Sequence, residues 1–215
     1  MKKILVTAVV LALVAGALSA TDSAGKKKKA KPVPVTMFFH GTETLGEIDA
    51  ANNLAAGGQV LPMDTTEPTA TPSKSFPIID LVATPNEACS GSSILPSWAG
   101  NMSGRITGDV TVTFNTIGSA GTVDIELFAD AGALSCNETY IEPAAETTID
   151  LPAGSGTVEA VIEGVDFQVI GRLVVMVNHK MLDAPAMGRV LYDSPTDSAR
   201  VEFTCTPAAG ATACT

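Results

Sequence analysis

The chain predicts an all-β protein, a two-sheet antiparallel β-sandwich of about eight to ten strands. Three observations lead there. Short runs alternate apolar and polar residues, most clearly VTVTF at 110–114 and VDIELF at 123–128. Side chains on a strand alternate between its faces, so each run reads as a strand with one face on a core and one in water. Clusters of Gly, Pro and Asp separate such runs, and helical periodicity is almost missing from the 215 residues. A closed barrel is the runner-up. No repeat of fixed period is found, which disfavours a propeller or solenoid.

Two lysines (Lys2, Lys3), an apolar run over 4–18 and small residues at Ser19 and Ala20 make the three-part pattern of a secretory signal peptide, residues 1–20. A retained membrane anchor fits less well. About 20 apolar residues are needed to cross a bilayer, and Thr21, Asp22 and Ser23 end this run early. The mature chain is therefore expected to have no transmembrane segment, and the protein to be extracellular, periplasmic or held at the cell surface. Residues 21–34 form a Lys- and Pro-rich tether: KKKKAKP over 26–32 cannot bury itself and reads as a solvated spacer. The sharper reading is a contact with anionic envelope polymers or lipid head groups.

The domain proper is expected over 35–207 as one β-sandwich, followed by a tail at 208–215. VTMFF at 35–39 reads as the first strand. Residues 41–58 have helix-compatible spacing for a turn or two at most, because Gly57 and Gly58 and the short length limit it. Residues 60–77, rich in Thr, Pro and Asp, have loop composition, and strand character resumes at 76–82. A loop with Cys89 and ILPSW at 94–98 lead into 106–129, where the two alternating runs flank a Gly-containing connection and predict a hairpin. Further strands are expected at 147–151, 157–162, 172–178, 189–193 and 200–204. The run LVVMV at 173–177 is apolar at every position, so it should be buried on both faces or covered by a loop.

Four cysteines, Cys89, Cys136, Cys205 and Cys214, in an exported chain point to two disulfides with three connectivities open. Cys205 with Cys214 and Cys89 with Cys136 is the working pairing. No Cys-x-x-Cys metal spacing occurs. Beyond residue 32 the chain holds six basic and 22 acidic residues, a formal balance of −16. Such a body repels phosphate backbones, so nucleic acid is not an expected partner.

The search for chemistry returns little. Only His40 and His179 are present, and there is no zinc His-Glu-x-x-His motif, nucleophile elbow or phosphate loop. GNMSG at 100–104 puts Ser103 one place off the elbow spacing and reads as a turn before a strand. His40, at a strand end, reads as a structural histidine; His179 ends the apolar strand beside Lys180. Asp124 and Glu126 lie on one strand face about 7 Å apart, within the range of glycosidase acid pairs. Alternation places them on the solvent face, so no catalytic residue is assigned. A structural calcium ion could be held by Asp64 with Glu67 or by Asp193 with Asp197; no other metal or cofactor is expected. Trp98 and Tyr140 are the candidates for a carbohydrate-stacking site, with core packing the better expectation for Trp98. Asn101 and Asn137 fit the N-glycosylation acceptor pattern.

SGRITGDVTVTF, VDIELFAD, GRLVVMVN and SARVEFT, in that order between residues 102 and 205, resemble the jelly-roll, galactose-binding-like C-terminal domain of X-Pro dipeptidyl-peptidase and cocaine-esterase-like hydrolases. The resemblance covers about half of the chain. It implies a jelly-roll that packs on a partner domain or binds a ligand at its edge or loops. In those hydrolases the catalytic residues lie on a separate α/β domain, so no catalytic role carries over, and fold alone does not decide function. The expectation is an exported, non-enzymatic binding or accessory module for an extracellular or envelope polymer, carbohydrate included, or for a protein partner. The alternatives are a secreted hydrolase using carboxylate or Ser-His chemistry and a structural surface protein.

Overall fold

The computed structural model describes residues 30–41, 61–69, 73–78, 97–118, 120–129, 142–179 and 188–215. Nine strands are present there: β1 (Val33–Phe39), β2 (Leu61–Asp64), β3 (Lys74–Ile78), β4 (Ser97–Gly118), β5 (Gly121–Phe128), β6 (Ala145–Leu151), β7 (Gly154–His179), β8 (Gly188–Tyr192) and β9 (Arg200–Pro207). The protein is all-β, and every strand pairing is antiparallel except that of β2 with β4. No helix among the described residues is long and apolar enough to cross a membrane.

β4 and β7 organise the rest. They are 22 and 26 residues long, and 22 residues of straight strand would reach about 70 Å. A domain of this size is only roughly 40 Å across. Both strands therefore bend, and the hydrogen-bonded order β2-β1-β9-β4-β7-β5-β6 folds over to enclose one core. Met37, Trp98, Ile106, Phe114, Ile125, Leu173 and Val201, from both layers of the sandwich, all belong to that core.

The bend coincides with a bulge. Gly108 pairs with Val165, but Val110 pairs with Ile162, so β7 carries one extra residue there. Gly108 and Gly164 both have positive φ, 87° and 62°, a conformation that glycine adopts at no steric cost. The Gly164 N–H donates to Asp109 Oδ1 at 3.0 Å. On one side of the bulge the core residues of β7 are even-numbered, Val158, Ala160 and Ile162; on the other they are odd, Val165, Val169, Leu173, Val175 and Val177. The expected strands at 157–162 and 172–178 are thus one strand whose parity changes midway.

Three expectations are corrected here. The runs at 110–114 and 123–128 do not form a hairpin: β4 pairs with β7, β8, β9 and β2, while β5 pairs with β6 and the end of β7. The two runs therefore belong to different pairings and do not lie beside each other as partners. GNMSG at 100–104 is not a turn but part of β4. Its glycines give room on the inner face. A Cβ on Gly100 would stand 2.6 Å from the Met63 carbonyl oxygen, and one on Gly104 would stand 2.5 Å from Cys205 Sγ. Residues 60–77 are not all loop, since β2 lies within them and β3 begins there; Leu61 and Met63 are buried, alternating with exposed Pro62 and Asp64. Residues 42–58, where a turn of helix is expected, lie outside the described residues.

The fully apolar run is buried throughout, as expected: Leu173, Val175 and Val177 face the main core, whereas Val174 and Met176 join Phe128 in a second cluster. The Cys205–Cys214 disulfide is formed. It folds the tail back so that the Ser103 N–H donates to the Cys214 carbonyl at 2.8 Å. Cys89 and Cys136 lie outside the described residues.

Replacing Gly104 by Ala forces a side chain against the disulfide and the Thr206 carbonyl. A loss of about 1–3 kcal/mol is expected, read as a lower urea midpoint at unchanged m-value.

Candidate functional site

The most extensive polar network among the described residues lies where β1 ends. Phe39 turns inward and stacks on Trp98, with ring centroids 4.5 Å apart and planes at 12°. Strand alternation then directs His40 to the other face. The backbone there is pinned on both sides, with Phe39 N–H donating to the Ala199 carbonyl at 2.8 Å and His40 N–H to the Pro62 carbonyl at 2.9 Å.

His40 bridges two segments. Nδ1 lies 3.0 Å from Asp193 Oδ1; Nε2 lies 3.0 Å from the Thr66 carbonyl oxygen and 3.3 Å from Asp64 Oδ1. Asp193 follows β8 in the left-handed region at φ 62°, which Asp tolerates better than most residues. Its other oxygen accepts the Gly41 N–H at 3.4 Å. Gly41 must be glycine, because a Cβ would stand 2.8 Å from the Tyr192 ring.

The turn after Asp193 holds a hydroxyl network. Ser194, fully buried, lies 2.9 Å from Ser73 Oγ and 3.0 Å from Thr196 Oγ1, and accepts the Asp197 N–H at 3.0 Å. Ser73 also donates to Asp197 Oδ2. Asn115 of β4 donates to Asp197 Oδ1 at 2.7 Å and to the Thr196 carbonyl at 3.1 Å, and accepts from Thr157 of β7 at 2.7 Å. Burial would raise the Asp197 carboxyl, but the bonds from Ser73, Asn115, Thr196 and Ser194 outweigh it and hold the group below the ordinary carboxylate value. Asp64 is likewise lowered: burial opposes, and the Thr66 N–H, the Thr66 hydroxyl and His40 prevail. The DSPTD run at 193–197 carries the signature of a turn closed by its own side chains, the one signal by which sequence could have found this network.

An aspartate on one histidine nitrogen is two-thirds of a hydrolytic triad. The remaining nitrogen, which would take a proton from a nucleophile, faces a carbonyl and a carboxylate instead. Asp64 and Asp193 meet through His40, and Glu67 is exposed. No group of three or more His, Cys, Asp or Glu among the described residues is placed to hold a metal ion.

Asp124 and Glu126 are not the wet face of a hairpin. Both are buried, at 5% and 4% exposure, because β5 is enclosed on both sides from Val123 to Phe128. Asp124 accepts a bond from Thr148 of β6 at 2.5 Å. Trp98 has no ring face open to a sugar: it is fully buried between Phe39 and Tyr192, whose ring meets it edge-on at 5.5 Å. Tyr140, Asn137 and the side chain of His179 lie outside the described residues, and Asn101 is exposed on β4. A shallow, open depression of about 490 Å³ lies between β6 and β7, with Ile149, Leu151 and Val158 among its lining and Asp150 and Glu159 at its rim.

No family model matches the chain, and no curated protein matches its sequence. Solved structures do resemble it. A CocE/NonD family hydrolase from Staphylococcus aureus superposes with a TM-score of 0.52 at 8% identity, over 83% of this chain and 37% of the hydrolase. A second structure of a CocE/NonD family hydrolase from that organism gives 0.53 at 6%, over 82% and 37%. An aminopeptidase from a marine sediment Thaumarchaeota archaeon gives 0.51 at 9%, over 80% and 37%. The chain thus spans little more than a third of the length of these proteins, and at such identity the likeness is one of fold. It is similar to a part of those hydrolases, in line with the resemblance read from its strands.

Two titrations follow from these surroundings. The Tyr192 hydroxyl is buried and has no hydrogen-bond partner among the described residues, and burial, then the Asp193 charge, pushes its pKa from 10.0 up to about 12. A phenol raised in the folded state stabilises fully below its unfolded value and loses that contribution as pH rises towards about 12. Tyr192→Phe should abolish this alkaline loss and be neutral or up to about 1 kcal/mol stabilising at pH 7, measured by urea unfolding across alkaline pH. Asp197 has the opposite sign. Its contribution is present above the ordinary value of 3.8 and lost as pH falls through the lowered one. Asp197→Asn should cost about 1–2 kcal/mol at pH 7 and progressively less on acidification, read from the same unfolding curves.

Proposed function

We propose that the protein is an exported, non-enzymatic β-sandwich module that works by binding, as an accessory to an extracellular or envelope polymer or to a protein partner. The observation that carries this reading is the use made of His40. Both of its ring nitrogens are engaged by groups of the same chain, and the hydroxyls of Ser73 and Ser194 are bonded to each other and to the turn. A histidine committed in this way holds three chain segments together, and general-base chemistry would require breaking that arrangement.

Export is supported by the signal pattern of residues 1–20 and by the Cys205–Cys214 bridge, since disulfides persist mainly in oxidising compartments. The accessory role is supported by the fold likeness to a part, not the whole, of larger hydrolases. The jelly-roll form of that part in the resembling hydrolases favours a ligand at strand edges or loops. With Trp98 inside the core, a carbohydrate or polymer would meet the open depression beside β6, where apolar Ile149 and Leu151 lie next to the Asp150 carboxylate.

Two measurements on the exported protein test the reading. Envelope polysaccharide arrays and pull-downs from the surface fraction should return a specific partner. Hydrolysis of model esters, peptides and glycosides should stay at the buffer rate for wild type and for His40→Ala alike. Wild-type hydrolysis that His40→Ala abolishes would reverse the assignment to the hydrolase class.

A further inference from the structure

Strand edges offer unpaired backbone donors and acceptors, and proteins normally pair, cover or charge them. Among the described residues, β6 pairs on one edge only, with β5. β7 has β4 along one edge, while β5 reaches its other edge only from Val174 onwards. The free edge of β6 and the free first part of β7 border the same depression. Its floor includes Leu151 and Val158, 3% and 6% exposed, with half-buried Ile149 beside them. On β6 the outward positions Glu146, Thr148 and Asp150 are exposed, and Glu159 of β7 is exposed across the gap.

Among the described residues, free edges on both sides can take one more extended segment, and the acidic rim asks that it be cationic. Like-charged rims of this kind oppose pairing of β6 with a second β6, because acidic side chains would be brought close to one another. The chain itself contains the complementary segment. Seven of its 13 basic residues fall within the first 32, five of them in KKKKAK at 26–31, against a body of formal charge −16. Pro32 and Pro34 keep the start of β1 extended, and the arm lies immediately before it in the chain.

We propose that the arm at residues 26–31 of one copy lies as an added strand in the gap between β6 and the first part of β7 of a second copy. Backbone hydrogen bonds to a free edge would supply affinity, and the lysines facing Glu146, Asp150 and Glu159 would supply register. Because the arm and the gap are different surfaces, the contact is heterologous. It generates open chains of copies rather than a closed dimer. This inference does not rest on the polymer-binding reading; it concerns how copies meet, and the arm and a bound polymer would compete for the same depression.

The test is the mass of the exported protein in solution by light scattering across a concentration series, with its N-terminus first checked by mass spectrometry to retain the arm. At low salt (about 0.02 M) the mass should rise with concentration, and at about 0.5 M the association should weaken ten-fold or more, since exposed charges are screened over a few ångströms there. Converting Lys26, Lys27, Lys28, Lys29 and Lys31 to Glu should abolish the rise, as should Asp150→Lys with Glu159→Lys. Asp150 and Glu159 are exposed positions, so circular dichroism of that variant should be unchanged. Mixing the two variants should restore association, because each arm then meets a gap of opposite charge on the other variant, and combining both sets of changes in one chain should restore it too. A mass that stays monomeric at every concentration, an exported chain without the arm, or association that survives either charge reversal would each overturn the proposal.

Discussion

Everything in this fold depends on the pairing of β4 with β7, a ladder that runs from Ser97–Met176 to Gly118–Gly154. Neither strand can stay straight over that length inside a domain of this size, so the ladder must bend, and the bulge at Gly164 is where it does so. Once bent, its two ends serve different neighbours: β5 joins β7 at one end, β8 joins β4 at the other, and β9 follows β4 across the middle. The second register shift, between Ile106 and Thr111 where β9 meets β4, falls at the same bend. A side-chain bond from Asp109 to the Gly164 N–H secures it. Bulges of this kind are positional devices, and here the device decides which residues of a 26-residue strand face the core.

This explains which parts of the architecture could be read from residues alone. Alternation is local, so the existence and facing of short runs such as VTVTF was legible, and so was the double burial of Leu173–Val177. Partnership is not local. Two alternating runs joined by a short glycine-containing link look like a hairpin whether the runs pair with each other or take different partners. The parity change within β7 likewise imitates two strands, because a one-residue insertion reverses which positions are apolar. Glycine misled in the other direction. Gly100 and Gly104 suggested a turn, yet each stands in mid-strand where the side chains of Met37 and Met63, or the disulfide sulfurs, come too close for a Cβ.

The polar site was less legible for the same reason. His40 and Asp193 are separated by 153 positions, and no spacing rule joins them. Asp64 and Asp193 were visible as carboxylates in loops, but their shared partner was not. Asp124 and Glu126 show the limit of alternation as a guide to solvent. The pattern places them correctly on one face of β5 and says nothing about whether that face is wet, and here it is buried beside the Phe128, Val174 and Met176 cluster. The aromatic residues divide similarly: Trp98 stands in the core with Phe39 and Tyr192, which leaves the rings for packing and the edges for recognition.

The pairing of the first described strand with the last has a mechanical corollary. Val33, where β1 begins, lies directly opposite Cys205 on β9, and Cys205 is bonded to Cys214 in the tail. Tension applied between the two ends of the domain would therefore enter both strands at a single rung, through the peptide chain on one side and through sulfur on the other. An antiparallel pair pulled from one end opens like a zipper, one hydrogen bond at a time, rather than resisting with all its bonds in parallel. A molecule tethered by its N-terminal segment and loaded at its tail would yield first at β1, leaving the bent β4–β7 ladder outside the line of force.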